Sequence, residues 1–208
     1  LMHEEECITG EISIGCAETK NMSYLSQKIV QFREQYPGVI FDIYTANADD
    51  VKERIENGIL DMGLMIEPVE ISKYHFKKMP YRERWCILMR KDCPLAKKER
   101  IEPKDLTQVP LLITSRKSVK NELESWFGVY YQQLNIVATC NLSYINHSIM
   151  VENGIGVALV HEFDNNNEAL CLRPIEPELV NASVLVWKKE QRNAAAVRKF
   201  IEYIQSSL

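Results

Sequence analysis

Residues 10–21 read GEISIGCAETKN, and this stretch decides the fold class. Apolar and polar residues alternate up to Cys16, which is typical of a β-strand. Small and polar residues follow at once, and then Met22, Leu25 and Ile29 recur at spacings of three and four, as on one face of an α-helix. The stretch therefore predicts a strand with an open carboxyl end, followed directly by a helix.

The same alternation continues along the chain. Pro37 ends the first helix, and residues 39–45 (VIFDIYT) predict a second strand. Asn47 can cap a second helix, Gly58 ends it, and residues 60–66 (LDMGLMI) predict a third, mostly apolar strand. Strands alternating with helices indicate a parallel sheet with helices on both faces. The carboxyl ends of its strands then meet at one edge, where ligands bind.

The second half of the chain repeats the pattern. Apolar runs predict strands over 109–113, 136–140 and 156–160. Apolar residues at helical spacing predict helices over 119–134 and 144–153, each between two of those strands. The fold class predicted for the whole chain is therefore α/β.

The end of the chain is assigned to the first half. Residues 184–187 predict another strand, and a final helix follows it. We therefore predict that residues 9–84 and 186–208 form one subdomain and that residues 85–185 form the other. Residues 1–8 are predicted to be the remnant of a linker from an upstream segment.

Charge and hydropathy exclude several classes of protein. The 208 residues carry a formal net charge of −4, and Lys and Arg are scattered, so this segment is not expected to bind nucleic acid by itself. No apolar run approaches the roughly 18 residues of a membrane span, and nothing resembles a signal peptide. We therefore expect no membrane contact.

The six cysteines and four histidines form no recognisable metal motif. No two cysteines are separated by only two residues, which is the usual zinc spacing. We interpret the cysteines as reduced structural thiols and expect a cytoplasmic location, with a redox-sensing pair as the alternative. No metal or other cofactor is predicted.

Catalytic motifs are also missing from the sequence. It contains no Gly-x-Ser-x-Gly elbow, no phosphate-binding Gly-Lys-Ser/Thr loop and no His-Glu-x-x-His. The protein is therefore not predicted to be an enzyme. An enzyme on this fold would need a convergent set of catalytic residues with perturbed pKa values.

Six motifs in a fixed order resemble those of a known family. They are GEISIG, YPGVIFDIYTA, IENGILDMGLMI, CPLA, PKDLTQVPLLI and VENGIGVALVHE. Together they resemble the effector-binding domain of bacterial LysR-type transcriptional regulators over residues 8–208. One departure is His161, where the family usually has Pro, and another is the run of three Asn after Asp164.

The resemblance implies a fold and a function. The fold would be two Rossmann-like subdomains joined by two crossing strands, as in type 2 periplasmic binding proteins. A small effector would bind in the cleft between them. DNA would be bound only through a missing N-terminal winged helix-turn-helix, and the protein would be a homodimer or tetramer. The helix at 22–36 and the strand at 39–45 would pack against a partner's helix at 119–134 and strand at 136–140.

Candidate effector contacts follow from the open strand ends and the helix starts. Those in the first subdomain are Ala17, Glu18, Thr19, Thr45, Ile66 and Glu67, and those in the second are Ser115, Arg116, Ser143, Tyr144 and His161. Arg116 can bind a carboxylate through two parallel hydrogen bonds, whereas the glutamates suit an amino group. A carboxylate or an amino acid therefore fits the set.

Several of these candidates also have a purely structural interpretation. Thr19 can be a helix cap, as can Asn47 after the second strand, and Glu67 and Arg116 can be solvated surface charges. Tyr144 can have a core or hinge role, and His161 can be a surface or packed residue. An alternative function for the same architecture is the solute-binding receptor of a transporter, which an upstream signal peptide would identify.

Overall fold

The structure is a computed structural model that describes residues 7–142, 144–190 and 193–206. Residue contacts divide the chain into two units. Unit 1 comprises residues 1–81 and 182–208, and unit 2 comprises residues 82–181. The chain therefore passes between the units twice. Every helix in the described part of the chain is too short or too polar to cross a membrane.

The strands and helices alternate along much of the chain. In chain order the strands are β1 (Gly10–Cys16), β2 (Val39–Thr45), β3 (Met62–Ile66), β4 (Tyr74–Lys78), β5 (Glu83–Arg90), β6 (Pro110–Thr114), β7 (Asn135–Cys140), β8 (Val157–His161), β9 (Leu170–Pro174), β10 (Val180–Asn181) and β11 (Ser183–Lys188). The α-helices are α1 (Asn21–Gln35), α2 (Ala48–Glu56), α3 (Lys117–Phe127), α4 (Tyr144–Glu152) and α5 (Ala195–Ser206).

Unit 1 is built on one sheet with the strand order β2-β1-β3-β11-β4. β1 is parallel to β2 and β3, whereas β11 is antiparallel to both β3 and β4. One face packs against α1 and α5, where Phe32 and Phe200 meet edge to face with ring centroids 5.0 Å apart. Burying aromatic side chains of this size is a large part of the hydrophobic stabilisation of a unit.

The other face of the unit 1 sheet packs closely against α2. Val51 and Ile55 are fully buried there. A Cβ atom on Gly15 would lie 2.6 Å from Val51 Cγ1, and one on Gly63 would lie 2.7 Å from the same atom. These two glycines therefore allow α2 to approach the strands, and the first residues of α2 to reach the strand ends.

Unit 2 is built on a sheet with the strand order β10-β5-β8-β6-β7, and β9 also pairs with β5. β6, β7 and β8 are parallel to one another. One face packs against α3, with Leu123 and Phe127 buried, and the other packs against α4 through Val151. Both units thus have the predicted α/β architecture.

One predicted helix is too long. The structure ends α3 at Phe127 and continues as a 3₁₀-helix over Gly128–Gln133. Gly128 has a φ of 55°, which an α-helix does not accommodate. The apolar spacing continues past this point because the 3₁₀ turn keeps Tyr131 and Leu134 against the same core.

Candidate functional site

The loops after β1, β2 and β3 form one continuous rim in unit 1. Because β1 pairs in parallel with β2 and β3, the carboxyl ends of the three strands lie side by side. The Ala17 amide donates to Leu64 O at 3.0 Å, and the Ala46 amide donates to Cys16 O at 3.1 Å. These bonds hold the first residues beyond β1 and β2 against their neighbours and fix the backbone of the rim.

Six of the predicted effector contacts lie along this rim. Their exposure varies: Ala17, Thr19 and Ile66 are buried, Glu18 and Glu67 are half-buried, and Thr45 is exposed. The rim therefore combines hydroxyl, carboxylate and backbone groups at one end of one sheet. Whether each of them touches an effector stays a prediction.

Two side chains at the rim accept hydrogen bonds from the first backbone amides of the helices that start there. Thr19 Oγ1 accepts a hydrogen bond from the Asn21 amide at 3.0 Å. Asn47 Oδ1 accepts from the amides of Asp49 and Asp50 at 2.9 and 3.0 Å. The predicted Asn47 cap is confirmed. The N-cap residue of α1 is Lys20 and not Thr19, although the Thr19 hydroxyl satisfies the first amide of that helix.

Unit 2 has a corresponding rim at the carboxyl ends of β6, β7 and β8. The Ser115 amide donates to Cys140 O at 2.9 Å, which joins the ends of β6 and β7. Ser115 is exposed, whereas Arg116, which precedes the first residue of α3, is only 9% exposed. Arg116 is thus not the exposed surface charge that was one interpretation of the sequence. Ser143 lies outside the described residues.

Tyr144 opens α4 and stacks on Phe163. The two ring centroids are 4.7 Å apart and the planes are inclined by 25°. The Tyr144 backbone also accepts a hydrogen bond from Ser148 Oγ at 2.7 Å. One face of the Tyr144 ring is therefore covered by the protein itself, so an effector could stack only on the opposite face.

His161 ends β8 in a polar network that the sequence did not predict. Its ring packs on Trp85, with the ring centroids 4.0 Å apart. His161 Nε2 lies 3.1 Å from Asn181 Oδ1, and Trp85 Nε1 donates to the same oxygen at 2.6 Å. Asn181 Nδ2 donates to Glu122 Oε1 at 2.8 Å. A single amide thus connects β5, β8 and α3.

Electrostatics connect this network to Arg116. Burial raises the pKa of Glu122, while the hydrogen bond from Asn181 and the positive charge of Arg116 act in the opposite direction. Glu122 Oε2 is buried and has no hydrogen-bond partner among the residues that the structure describes. Arg116 and His161 therefore both interact with one polar cluster, in which Glu122 and Asn181 are the linking residues.

Burial disfavours the thiolate form of the two cysteines at the rims, Cys16 and Cys140. All six cysteines are free. Burial raises the pKa of Cys16 to about 12, and burial also raises that of Cys140. A thiol with a raised pKa carries little of the nucleophilic thiolate at neutral pH. Within the described ranges, no group of three or more Cys, His, Asp or Glu residues is placed to hold a metal ion.

Trp85, Glu122 and Asn181 are the site residues that sequence reasoning missed. Glu122 carried a signal, since it lies three residues after Val119 on the inward face of α3. The sequence around Asn181 gave no indication of a functional role, because an isolated Asn before a strand usually indicates a turn.

Comparison with known proteins gives one family. The model of the LysR substrate binding domain family matches residues 7–208. The chain is 26% identical over 203 residues to the HTH-type transcriptional regulator YvbU of Bacillus subtilis, covering 93% of this chain and 66% of that protein. It is also 26% identical over 204 residues to the Hca operon transcriptional activator HcaR of Escherichia coli, covering 95% of this chain and 68% of that protein. The chain thus spans about two thirds of each of these relatives.

Solved structures share the fold. The effector binding domain of QuiR in complex with shikimate matches with a TM-score of 0.77 at 14% identity, covering 94% of this chain and 95% of that one. The cofactor-binding domain of the Cbl transcriptional regulator matches with a TM-score of 0.77 at 20% identity, covering 96% of this chain and 90% of that one. At these identities the likeness shows the fold alone.

Proposed function

Because this chain belongs to the LysR substrate-binding domain family, we propose that it is the effector-sensing part of a transcription regulator. It binds a small molecule, and the resulting conformational change is transmitted to a DNA-binding segment elsewhere in the whole protein. The names of the relatives, HTH-type regulators and a transcriptional activator, support this assignment. They do not favour the solute receptor of a transporter.

The rim of unit 1 is the observation that carries the proposal. Parallel strands β1, β2 and β3 end together, and the first turns of two helices begin there, where Thr19 and Asn47 bond to their amides. Helix amino ends and hydroxyls favour anionic groups, and Glu18 and Glu67 add groups that favour a cation. Unit 2 contributes Ser115, Arg116 and His161 at the ends of its own parallel strands.

The proposed effector is a small carboxylate or an amino acid. Arg116 supplies a guanidinium for a carboxylate. The glutamates of the unit 1 rim supply partners for an ammonium group. An effector can shift the protein from one conformation to another only by the difference in its affinity for the two conformations. Couplings of this kind are typically about 1–3 kcal/mol.

A thermal-shift screen tests the proposal. The protein is heated with a panel of amino acids and small carboxylates, and we expect at least one compound to raise its melting temperature. Thr19→Val and Arg116→Met should abolish the rise, whereas Lys117→Ala, an exposed neighbour on α3, should retain it. A panel without any effect on the wild type, or a rise that survives both pocket variants, would contradict the proposal.

We also propose that two copies associate through the outer strands of their sheets. β2 ends the unit 1 sheet and exposes Ile40 (64%) and Ile43 (36%), and β7 ends the unit 2 sheet and exposes Ile136 (39%) and Val137 (42%). Edge strands with apolar residues are surfaces that another chain can cover.

The exposed face of α4 belongs to this proposed surface. Ile145 is 72% exposed and Ile149 is 53% exposed, one helical turn apart. By contrast, α3 buries its apolar residues Val119, Leu123 and Phe127. We therefore propose α4, rather than the helix at 119–134, as the helix that joins β7 in the contact. Sedimentation analysis should show a dimer or tetramer for the wild type and a monomer for Ile40→Lys, and an unchanged mass for that variant would contradict the contact.

The remaining assignments rest on the family. We propose that DNA is bound through a helix-turn-helix outside this chain and that the protein works in the cytoplasm without catalysing a reaction. The gene sequence preceding Leu1 tests the first point directly, because it should encode that helix-turn-helix.

A further inference from the structure

The orientation of the Asn181 amide is fixed by Trp85. The indole Nε1–H can only donate, so the Asn181 atom 2.6 Å away must be the oxygen, Oδ1. The amide nitrogen then faces Glu122 Oε1 at 2.8 Å, where it donates. The contacts with Trp85 and with Glu122 therefore require the same orientation of the amide. A flipped amide would place two donors against each other at Trp85 and two acceptors against each other at Glu122.

This orientation in turn fixes the tautomer of His161. Nε2 of the ring lies 3.1 Å from Asn181 Oδ1, an atom that can only accept. Nε2 must therefore carry a proton, and a neutral ring carries its lone pair on Nδ1. The Trp85 indole thus determines the orientation of the Asn181 amide, and the amide determines which nitrogen of His161 carries the proton. This deduction needs no assumption about a ligand.

The network also lies at one of the two passages of the chain between the units. Asn181 is the last residue of unit 2 and lies opposite Glu83 in the pairing of β10 with β5. Trp85 is on β5, just after the chain enters unit 2 at residue 82. Asn181 is only 6% exposed and Trp85 only 3%, so the bonds between them are shielded from water. The residue that orients His161 is therefore part of the connecting strands themselves.

We propose that Asn181 is a positioning residue of the effector site, which holds His161 as the Nε2–H tautomer and ties it to Glu122 of α3. The proposal rests on the proposed function only in treating His161 as an effector contact. In a neutral ring of this tautomer the one N–H is at Nε2 and is already bonded to Asn181 Oδ1, so His161 does not donate a hydrogen bond to the effector.

Tautomer-resolved NMR of the ligand-free protein tests this inference. The chain is labelled with ¹⁵N-histidine, and two-bond ¹H–¹⁵N correlations are recorded above the titration range of histidine, with His161→Gln to assign the ring. We expect a pyrrole-type shift at Nε2 and a pyridine-type shift at Nδ1, with no averaging between tautomers. His75, which is exposed, serves as the internal reference for a ring in exchange between its tautomers.

Two variants of Asn181 separate positioning from packing. Asn181→Leu removes the acceptor, and His161 should then show shifts averaged between the two tautomers, like those of His75. Asn181→Asp keeps an acceptor oxygen and should retain the Nε2–H tautomer, although it loses the donor to Glu122. A merely structural role would lower the melting temperature in both variants and leave the tautomer unchanged in both.

Trp85→Phe provides a second test if Asn181→Leu does not fold. This variant is combined with Glu122→Leu, because the Glu122 carboxylate would otherwise still orient the amide through Asn181 Nδ2. Without both partners the amide is no longer held in one orientation, so the His161 tautomers should again average. An Nδ1–H ring in the wild type would overturn the inference, and so would an unchanged tautomer in Asn181→Leu or, if that variant does not fold, in the double variant. The test uses no effector, so its failure is distinct from failure of the ligand screen.

Discussion

Asn21 and Tyr81 are joined by two hydrogen bonds across 60 residues of sequence. Asn21 Nδ2 donates to Tyr81 O at 2.7 Å, and Asn21 Oδ1 accepts from the Tyr81 amide at 3.0 Å. Asn21 is fully buried at the start of α1, and Tyr81 is the last residue of unit 1 before the chain enters unit 2. The start of α1 therefore fixes the point at which the chain leaves the unit.

Replacing Asn21 should destabilise the protein markedly. Asn21→Ala removes both hydrogen bonds to the backbone of Tyr81, and a hydrogen bond of this kind contributes about 0.5–1.5 kcal/mol. We expect the free energy of unfolding, measured by urea denaturation, to fall by about 1–3 kcal/mol. Gln27→Ala, on the exposed face of the same helix, should change it by less than about 0.5 kcal/mol. Equal effects of the two variants would contradict this role.

His147 should make the protein sensitive to acid. It is 1% exposed, and neither ring nitrogen has a hydrogen-bond partner in the described part of the chain. Burial lowers its pKa from 6.5 to about 4, so the folded state favours the neutral ring. The stability that depends on this neutral ring is complete above pH 6.5 and is lost as the pH falls towards 4. The loss amounts to about 3 kcal/mol, at 1.36 kcal/mol for each pKa unit.

The matched variant is His147→Leu. It has nothing to protonate, so its free energy of unfolding should fall less steeply between pH 6.5 and 4 than that of the wild type. At neutral pH it should be at least as stable, since an apolar side chain replaces two buried, unpaired nitrogens. Parallel pH profiles of the two proteins would show that His147 does not titrate in this way.

Thiol labelling should separate the buried cysteines from the exposed one. Cys16 is 3% exposed, and its pKa of about 12 leaves almost no thiolate at neutral pH. Cys7 is exposed. Under native conditions we expect iodoacetamide to modify Cys7 well before Cys16, with mass spectrometry of the peptides as the measurement. Rapid labelling of Cys16 would instead support the redox alternative.

Much of the fold was predictable because its signals are local. The structure confirms the first two strands with unchanged bounds, and it confirms the Asn47 cap. The third strand begins two residues later than predicted, at Met62, because Leu60 still belongs to the turn after α2, where its amide donates to Arg54 O at 3.3 Å. Alternation of apolar residues, caps and glycines all act within a few residues, which is the range that a single sequence reveals.

The polar network of unit 2 was not predictable for the opposite reason. Asn181 is 96 residues from Trp85 and 59 residues from Glu122, so only the pairing of the strands brings these side chains together. His161 was singled out from the sequence because of an unusual residue at a strand end. Its partners had no such mark, and neither its tautomer nor its connection to Arg116 through Glu122 follows from spacing.

Calorimetric titration tests the central claim most directly. The panel compound with the largest thermal shift is titrated into the wild type, into Thr19→Val in unit 1, into Arg116→Met in unit 2 and into Lys117→Ala as a control. We predict that each of the first two variants weakens binding by about tenfold or more, the equivalent of about 1.4 kcal/mol, and that the control binds like the wild type. Wild-type affinity in either Thr19→Val or Arg116→Met would contradict the assignment of that residue to effector binding.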